Sequence, residues 1–208
     1  MAPLLRRNDL VLFQGDSITN AFRMPDEINN AYQLGAGYAL MAAAEVMAQR
    51  PDDNIRFVNR GVSGNRVGDL LARWQTDCIE LRPTVVSILI GINSVIGETD
   101  QREFIADYRR LLDQTLQALP GTRLIVCEPF ALVCGMIGAS RIERLRSTQA
   151  GIRAMAQEME VLFVPIQQRF DQLSNRPSPE YWIYDGIHPT APGHRLIADA
   201  WLEAIGSS

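Results

Sequence analysis

Short, nearly continuous apolar runs alternate along the chain with longer stretches in which apolar residues recur at helical spacing. The short runs are rich in Val, Ile, Leu and Phe, as is typical of parallel strands that are covered on both faces. They lie at 9–14, 55–59, 84–90, 122–128 and 161–165. The longer stretches predict helices; they lie at 35–50, 66–81, 102–119, 140–159 and 192–206.

Two of these stretches show the helical pattern most clearly. In 66–81 the apolar residues are Val67, Leu70, Leu71, Trp74 and Cys78, which share one face of a helix. The stretch 192–206 follows Thr190, whose hydroxyl suits a helix N-cap.

Five strands that alternate with helices predict an α/β fold. We expect three layers, with helices on both faces of a five-stranded parallel sheet. For one domain that spans 1–208, the flavodoxin-like strand order 2-1-3-4-5 is the expected topology.

Composition narrows the possible partners and cofactors. The 208 residues carry a formal charge of −4, which argues against a nucleic-acid surface. All 20 basic residues are Arg, so neither a Schiff-base lysine nor a P-loop lysine is available. The three cysteines, Cys78, Cys127 and Cys134, form no CxxC pair, which disfavours a zinc site or a disulfide framework, and Cys127 suits a buried strand. We expect no cofactor.

No apolar run approaches the length of a membrane span, and no secretory h-region follows the first residues. The chain is therefore expected to be a soluble cytoplasmic protein with no membrane partner. A secreted mature form whose signal has been trimmed is the alternative.

Polar loops follow the first three predicted strands. They read GDSITN, RGVSGNRVGD and GINSVIG. In strand order 2-1-3 these loops are neighbours at the carboxyl edge of the sheet, where open α/β sheets bind ligands. Small polar side chains and exposed backbone should therefore meet there.

One serine and one histidine stand out as candidates for nucleophilic catalysis. Ser17 follows the first strand, and the chain has only two histidines, His188 and His194, both in YDGIHPTAPGH. Asp185 precedes His188 by three residues, so its carboxylate could bond Nδ1 and leave Nε2 to face a serine. His194 is expected to face solvent from the first turns of the last helix. The alternative is that these residues only form polar turns.

Hydrogen-bond donors for an oxyanion could come from the other two loops. Gly64 can expose its backbone N–H because it has no side chain, and Asn93 can offer its side-chain amide. The alternatives are a turn glycine beside an Asn65 helix cap, and an asparagine in a left-handed turn.

The blocks GDSIT, NRGVSGN, GIN and DGIHPTAPGH, in this order and at these separations, resemble those of the SGNH (GDSL-like) hydrolases. The stretch NRGVSGNRVGDLLARWQTDCIELRPTVVSILIGIN looks most like the branch that contains carbohydrate acetylesterases such as acetylxylan esterases. The resemblance implies the SGNH hydrolase fold and serine esterase activity. It makes Ser17 the nucleophile, His188 the base and Asp185 its orienting acid, with oxyanion donors on Ser17, Gly64 and Asn93.

Two features qualify this resemblance. The family's third block usually reads G-x-N-D, whereas this chain has Ser94 after Asn93. The first block has Ile18 where the family name has Leu, an apolar exchange of little consequence.

The expected reaction is the hydrolysis of short-chain esters, plausibly acetyl esters of carbohydrates, by a metal-independent mechanism. A lipase would need a long apolar lid insertion, which the sequence lacks. One alternative is a weak or inactive carbohydrate-binding or scaffolding member of the same fold. Another is a metal-dependent phosphoesterase that uses Asp16, Asp185 and His188. The expected partner is a small-molecule or carbohydrate ester, and a homo-oligomer is possible.

Overall fold

The strands of the protein form one parallel sheet. A computed structural model describes residues 4–24, 31–173 and 177–206. Within these residues, five strands pair in the order β2-β1-β3-β4-β5, so the predicted order 2-1-3-4-5 is confirmed. The strands are β1 (Leu10–Gly15), β2 (Arg56–Asn59), β3 (Val85–Leu89), β4 (Arg123–Cys127) and β5 (Leu162–Val164).

The five predicted long helices are present, each within a few residues of its expected bounds. The described residues also form four short helices that no periodic pattern predicted. The helices are α1 (Ser17–Asn20), α2 (Tyr38–Gln49), α3 (Val67–Asp77), α4 (Ile92–Ile96), α5 (Gln101–Ala118), α6 (Ala139–Glu158), α7 (Gln167–Leu173), α8 (Pro179–Trp182) and α9 (Ala191–Ala204).

Successive residues of the central strands point to opposite faces of the sheet, as pleating requires. Val11 and Phe13 join the core beneath α2 and α9, which includes Trp201. Leu12 joins the core on the other face, which includes Trp74 of α3. Because both faces are covered, β1 and β3 are apolar at nearly every position, which is why they read as continuous runs.

The last helix begins as its sequence predicts. The Thr190 hydroxyl accepts a hydrogen bond from the Gly193 N–H at 3.4 Å, and a proline stands in the first turn. The confirmed cap places His188 just before α9 and His194 in its first turns.

Cys127 is fully buried in β4, as its sequence context indicates. None of the helices in the described ranges is both long and apolar enough to cross a membrane. The predicted domain 1–208 also includes 1–3, 25–30, 174–176 and 207–208, which lie outside the described residues.

Candidate active site

Parallel pairing brings the ends of the first three strands together. β1 lies between β2 and β3 in the sheet, so the segments after Gly15, Asn59 and Leu89 share one edge. Ser17 is the first residue of α1, directly beyond β1. The Asp16 carboxylate accepts a hydrogen bond from the Ile18 N–H at 3.0 Å, which caps this short helix and holds the turn that presents Ser17.

A chain of hydrogen bonds joins Ser17, His188 and Asp185. Ser17 Oγ lies 2.9 Å from His188 Nε2, and His188 Nδ1 lies 2.6 Å from Asp185 Oδ2. Because the carboxylate accepts from Nδ1–H, Nε2 keeps its lone pair and accepts from the Ser17 hydroxyl. The structure therefore brings together these three predicted residues, of which the serine is 171 positions from the histidine.

The turn around Asp185 explains why a three-residue spacing suffices. Asp185 Oδ1 accepts from the Ile187 N–H at 3.0 Å and from the His188 N–H at 2.8 Å. These bonds close an Asx-type turn and leave Oδ2 for the imidazole. An isolated antiparallel bridge between Ile183 and Pro189 closes the base of the loop.

The same hydrogen bonds keep Asp185 ionised. Its partial burial opposes charge, but bonds from the His188 side chain and from two backbone N–H groups outweigh that penalty and lower the pKa of Asp185 below its ordinary value. Asp16 behaves in the opposite way: full burial raises its pKa to about 7, against weaker opposing effects from the Ile18 N–H and from His188.

Gly64, in the loop before α3, and Asn93, in the first turn of α4, lie close together. The Asn93 side-chain amide donates to the Asn65 carbonyl at 3.1 Å, which fixes the amide beside Gly64 and leaves its second N–H for another acceptor. Gly64 has a φ of +83°, a conformation that favours glycine. Within the described ranges, neither the Gly64 N–H nor the Ser17 N–H has a backbone or side-chain acceptor.

Gly64 lies in a turn, but the Asn65 cap and the left-handed turn at Asn93 that were the alternatives are both wrong. Helix α3 takes Arg66 as its N-cap, so Asn65 is not the cap. Asn93 lies in α4 and not in a left-handed turn, because Gly91 before it adopts the positive φ of +138°.

Ser94 is buried beside Asn93. Its side chain is 3% exposed. Its Oγ has no hydrogen-bond partner among the residues that the structure describes. The hydroxyl therefore does not orient Asn93.

The prediction for His194 is wrong. The side chain is half-buried rather than exposed, and its Nδ1 accepts from the Tyr38 N–H at 3.2 Å, at the start of α2. Burial and, to a lesser extent, the nearby charge of His188 together lower the pKa of His194 to about 4. The environment of His194 depends on the packing of α9 against α2, which the helical spacing of residues within α9 does not reveal.

A cleft of about 440 Å³ opens above Ser17 and His188. Its walls include Phe22, Tyr184 and His194. The Tyr184 ring stacks on the His188 ring with 5.8 Å between centroids and 18° between planes. Its side chain is 59% exposed. Sequence reasoning missed these cleft residues, although an aromatic directly before Asp185 was a readable signal.

The acidic and histidine side chains of this region are committed to other contacts. In the described part of the chain, no group of three or more His, Cys, Asp or Glu side chains could hold a metal ion. Asp16 is occupied as the cap of α1, whereas Asp185 faces His188.

Comparison with known proteins places the chain among ester hydrolases. Residues 13–196 match the model of the GDSL-like lipase/acylhydrolase family. An acetylxylan esterase of Geobacillus stearothermophilus is 36% identical over 94% of this chain and 93% of its own.

Solved structures agree with this match. A structure of the acetylxylan esterase Axe2 from the same organism superimposes with a TM-score of 0.89 at 32% identity, over 98% of this chain and 96% of that one. A protein of Parabacteroides merdae described as a GDSL-like lipase gives a TM-score of 0.93 at 34% identity, over 98% of each chain.

Proposed function

The chain belongs to the GDSL-like lipase/acylhydrolase family, and we propose that this carboxylic ester hydrolase removes acetyl groups from carbohydrates by a Ser17–His188–Asp185 mechanism. The observation that carries the proposal is the unbroken relay from Ser17 Oγ through His188 to an ionised carboxylate. It supplies a nucleophile, a base within hydrogen-bond reach and a group that orients the base.

In the first step Ser17 Oγ attacks the ester carbonyl carbon while its proton passes to His188 Nε2. The carbonyl oxygen becomes an oxyanion, which accepts from the N–H groups of Ser17 and Gly64 and from the Asn93 amide. These donors are fixed before the reaction begins, so they stabilise the charge as it develops without reorganising.

The tetrahedral adduct then collapses and breaks the bond to the alcohol oxygen. His188 Nε2–H protonates that oxygen, the alcohol leaves, and an acetyl group remains on Ser17. Water repeats the sequence: His188 takes its proton, the oxygen attacks the acyl carbon, and the Ser17 oxygen leaves with the proton. Acetate and free enzyme result.

Two observations support an acetylated carbohydrate as the substrate. The relative that is 36% identical over 94% of the chain is an acetylxylan esterase. The cleft of about 440 Å³ is far larger than an acetyl group, so most of it is available to the alcohol part of the ester.

A covalent probe tests the proposal. An alkyl phosphonate with a good leaving group should add one adduct to the Ser17 peptide, and the Ser17→Ala variant should neither label nor turn over an acetyl ester. Ser140→Ala is the matched control, because Ser140 is exposed in the first turn of α6. Activity should survive EDTA.

The result against the mechanism would be labelling that persists in Ser17→Ala, or activity that a chelator abolishes. A protein that binds acetylated xylo-oligosaccharides but never becomes acylated on Ser17 would instead be a binding module of the same fold.

A further inference from the structure

His194 reaches the active cleft from the first turns of α9. It lines the same cavity as Ser17 and His188, although it takes no part in the proposed relay. The ring packs closely against the start of α2: a Cβ on Gly37 would lie 2.8 Å from His194 Cε1 and 2.9 Å from Nδ1. A glycine at position 37 therefore allows the imidazole to sit where it does.

The contact with α2 sets the tautomer of His194. Gly37, the N-cap residue of α2, has no side chain to accept from the exposed N–H groups of the first turn. His194 Nδ1 accepts from the Tyr38 N–H instead. An accepting Nδ1 carries no proton, so the neutral ring must carry its proton on Nε2.

The surroundings of the ring keep it neutral. Burial, together with a smaller effect of the nearby His188, lowers the pKa of His194 to about 4. The positive end of the α2 backbone acts in the same direction, because it opposes a second proton on Nδ1. Within the described ranges, no side chain or backbone group bonds to His194 Nε2. The cleft thus contains an uncharged N–H donor that no described residue of the protein accepts from.

The cleft has room for this donor to meet the alcohol part of the substrate. Under the proposed function the acyl part is only an acetyl group, while the cavity measures about 440 Å³. The alcohol of a carbohydrate ester presents several hydroxyl oxygens, each of which can accept a hydrogen bond. A neutral donor is suited to such an acceptor, since it needs no counter-ion when the substrate covers it.

We propose that His194 is a substrate-binding residue, whose Nε2–H donates to a hydroxyl oxygen of the alcohol part of the ester. This inference rests on the proposed function. His194 would then discriminate between substrates by their alcohol part. An alcohol with hydroxyl groups offers an acceptor to the N–H, whereas an alcohol that lacks an acceptor leaves the N–H unpaired and is bound less favourably.

Two variants separate binding from helix capping. His194→Asn keeps an acceptor oxygen near the position of Nδ1 but removes the Nε2–H donor. His194→Gln extends an amide N–H to the level of Nε2 but removes the acceptor for Tyr38. Each is assayed with a monoacetylated methyl xyloside and with 4-nitrophenyl acetate, whose alcohol carries no hydroxyl group.

The decisive quantity is the ratio of kcat/KM for the two substrates. His194→Asn should lower the xyloside-to-aryl ratio about tenfold, the usual effect of one neutral hydrogen bond, mainly through KM. His194→Gln should retain the ratio more nearly, although its thermal midpoint should fall because the start of α2 loses its acceptor.

If His194 had only a structural role, its variants would change the stability of the protein but not the ratio of kcat/KM for the two substrates. If His194→Asn leaves the ratio unchanged, or if both substrates lose activity equally, the binding role is wrong. Failure of the proposed function is distinguishable, because Ser17→Ala would then retain turnover of 4-nitrophenyl acetate whatever the His194 variants do.

Discussion

Replacement of Asp185 by asparagine should reverse the hydrogen bond that orients His188. Asp185 Oδ1 accepts from the N–H groups of Ile187 and His188 at 3.0 and 2.8 Å. An asparagine must keep its oxygen on that side, since its NH₂ would otherwise oppose two donors. Its Nδ2 then faces His188 Nδ1 at the position of the oxygen that now lies 2.6 Å away.

The altered partner changes the tautomer of the base. An amide N–H that points at Nδ1 requires Nδ1 to accept, which places the imidazole proton on Nε2. Nε2–H cannot accept the Ser17 proton, so nucleophilic attack is lost even though every atom is nearly in place. In Ser-His-Asp hydrolases of other folds this exchange costs about 10⁴ in kcat, equivalent to about 5 kcal/mol in the activation barrier.

Steady-state kinetics on an acetyl ester at pH 7.5 measure this loss, with circular dichroism and urea unfolding as folding checks. Asp199→Asn is the matched control, because it removes the same charge from a surface ion pair with Arg195 on α9, and such pairs contribute little. The reasoning is refuted if the folded Asp185→Asn enzyme retains more than a tenth of wild-type kcat.

Three further outcomes are expected. Asn93→Ala should lower kcat by about 10²–10³ with little change in KM, as loss of one oxyanion donor does. Ser94→Ala should lower kcat far less, because the Ser94 Oγ bonds no described residue. Equal losses of kcat in steady-state assays of the two variants would contradict this. Because burial raises the pKa of Asp16 to about 7, the folded protein keeps this proton at pH values where the unfolded chain releases it. The contribution of neutral Asp16 to the free energy of unfolding is therefore full below about pH 4 and is lost as pH rises to about 7. Asp16→Asn should therefore gain unfolding free energy over wild type across that window, by up to about 4 kcal/mol, and a pH-independent difference in urea unfolding would rule this out. Among esters of one alcohol, kcat/KM should decline beyond about four acyl carbons, since a methylene that does not fit costs about 1–3 kcal/mol; a preference for palmitoyl over acetyl would contradict it.

Much of the architecture could be predicted from the sequence, because it depends on local patterns of apolar and polar residues that are visible in the sequence itself. Strands buried on both faces must be continuously apolar, and α3 must present one apolar stripe, so both were visible before folding. The strand order followed from the alternation of strands and helices, which restricts the possible connections. The meeting of Ser17 with the loops of Gly64 and Asn93 followed in turn from that order.

The pair formed by Asp185 and His188 was also readable, since three residues across one Asx-type turn place a carboxylate on an imidazole. Their approach to Ser17, 171 residues away, could be inferred only from the resemblance of the blocks to known hydrolases. No property of either segment by itself encodes that contact.

Only the tertiary structure decided the environment of His194. A histidine in the first turns of an exposed-looking helix reads as a surface residue, yet α9 packs on α2 so that its ring accepts from the Tyr38 N–H, 156 residues away in sequence. The glycine at position 37 and the burial of the ring together set its tautomer and its charge. Burial and hydrogen-bond partners are properties of pairs of elements in space, whereas periodicity is a property of one element, and this is why the sequence predicted the sheet and the relay but not the second histidine of the cleft.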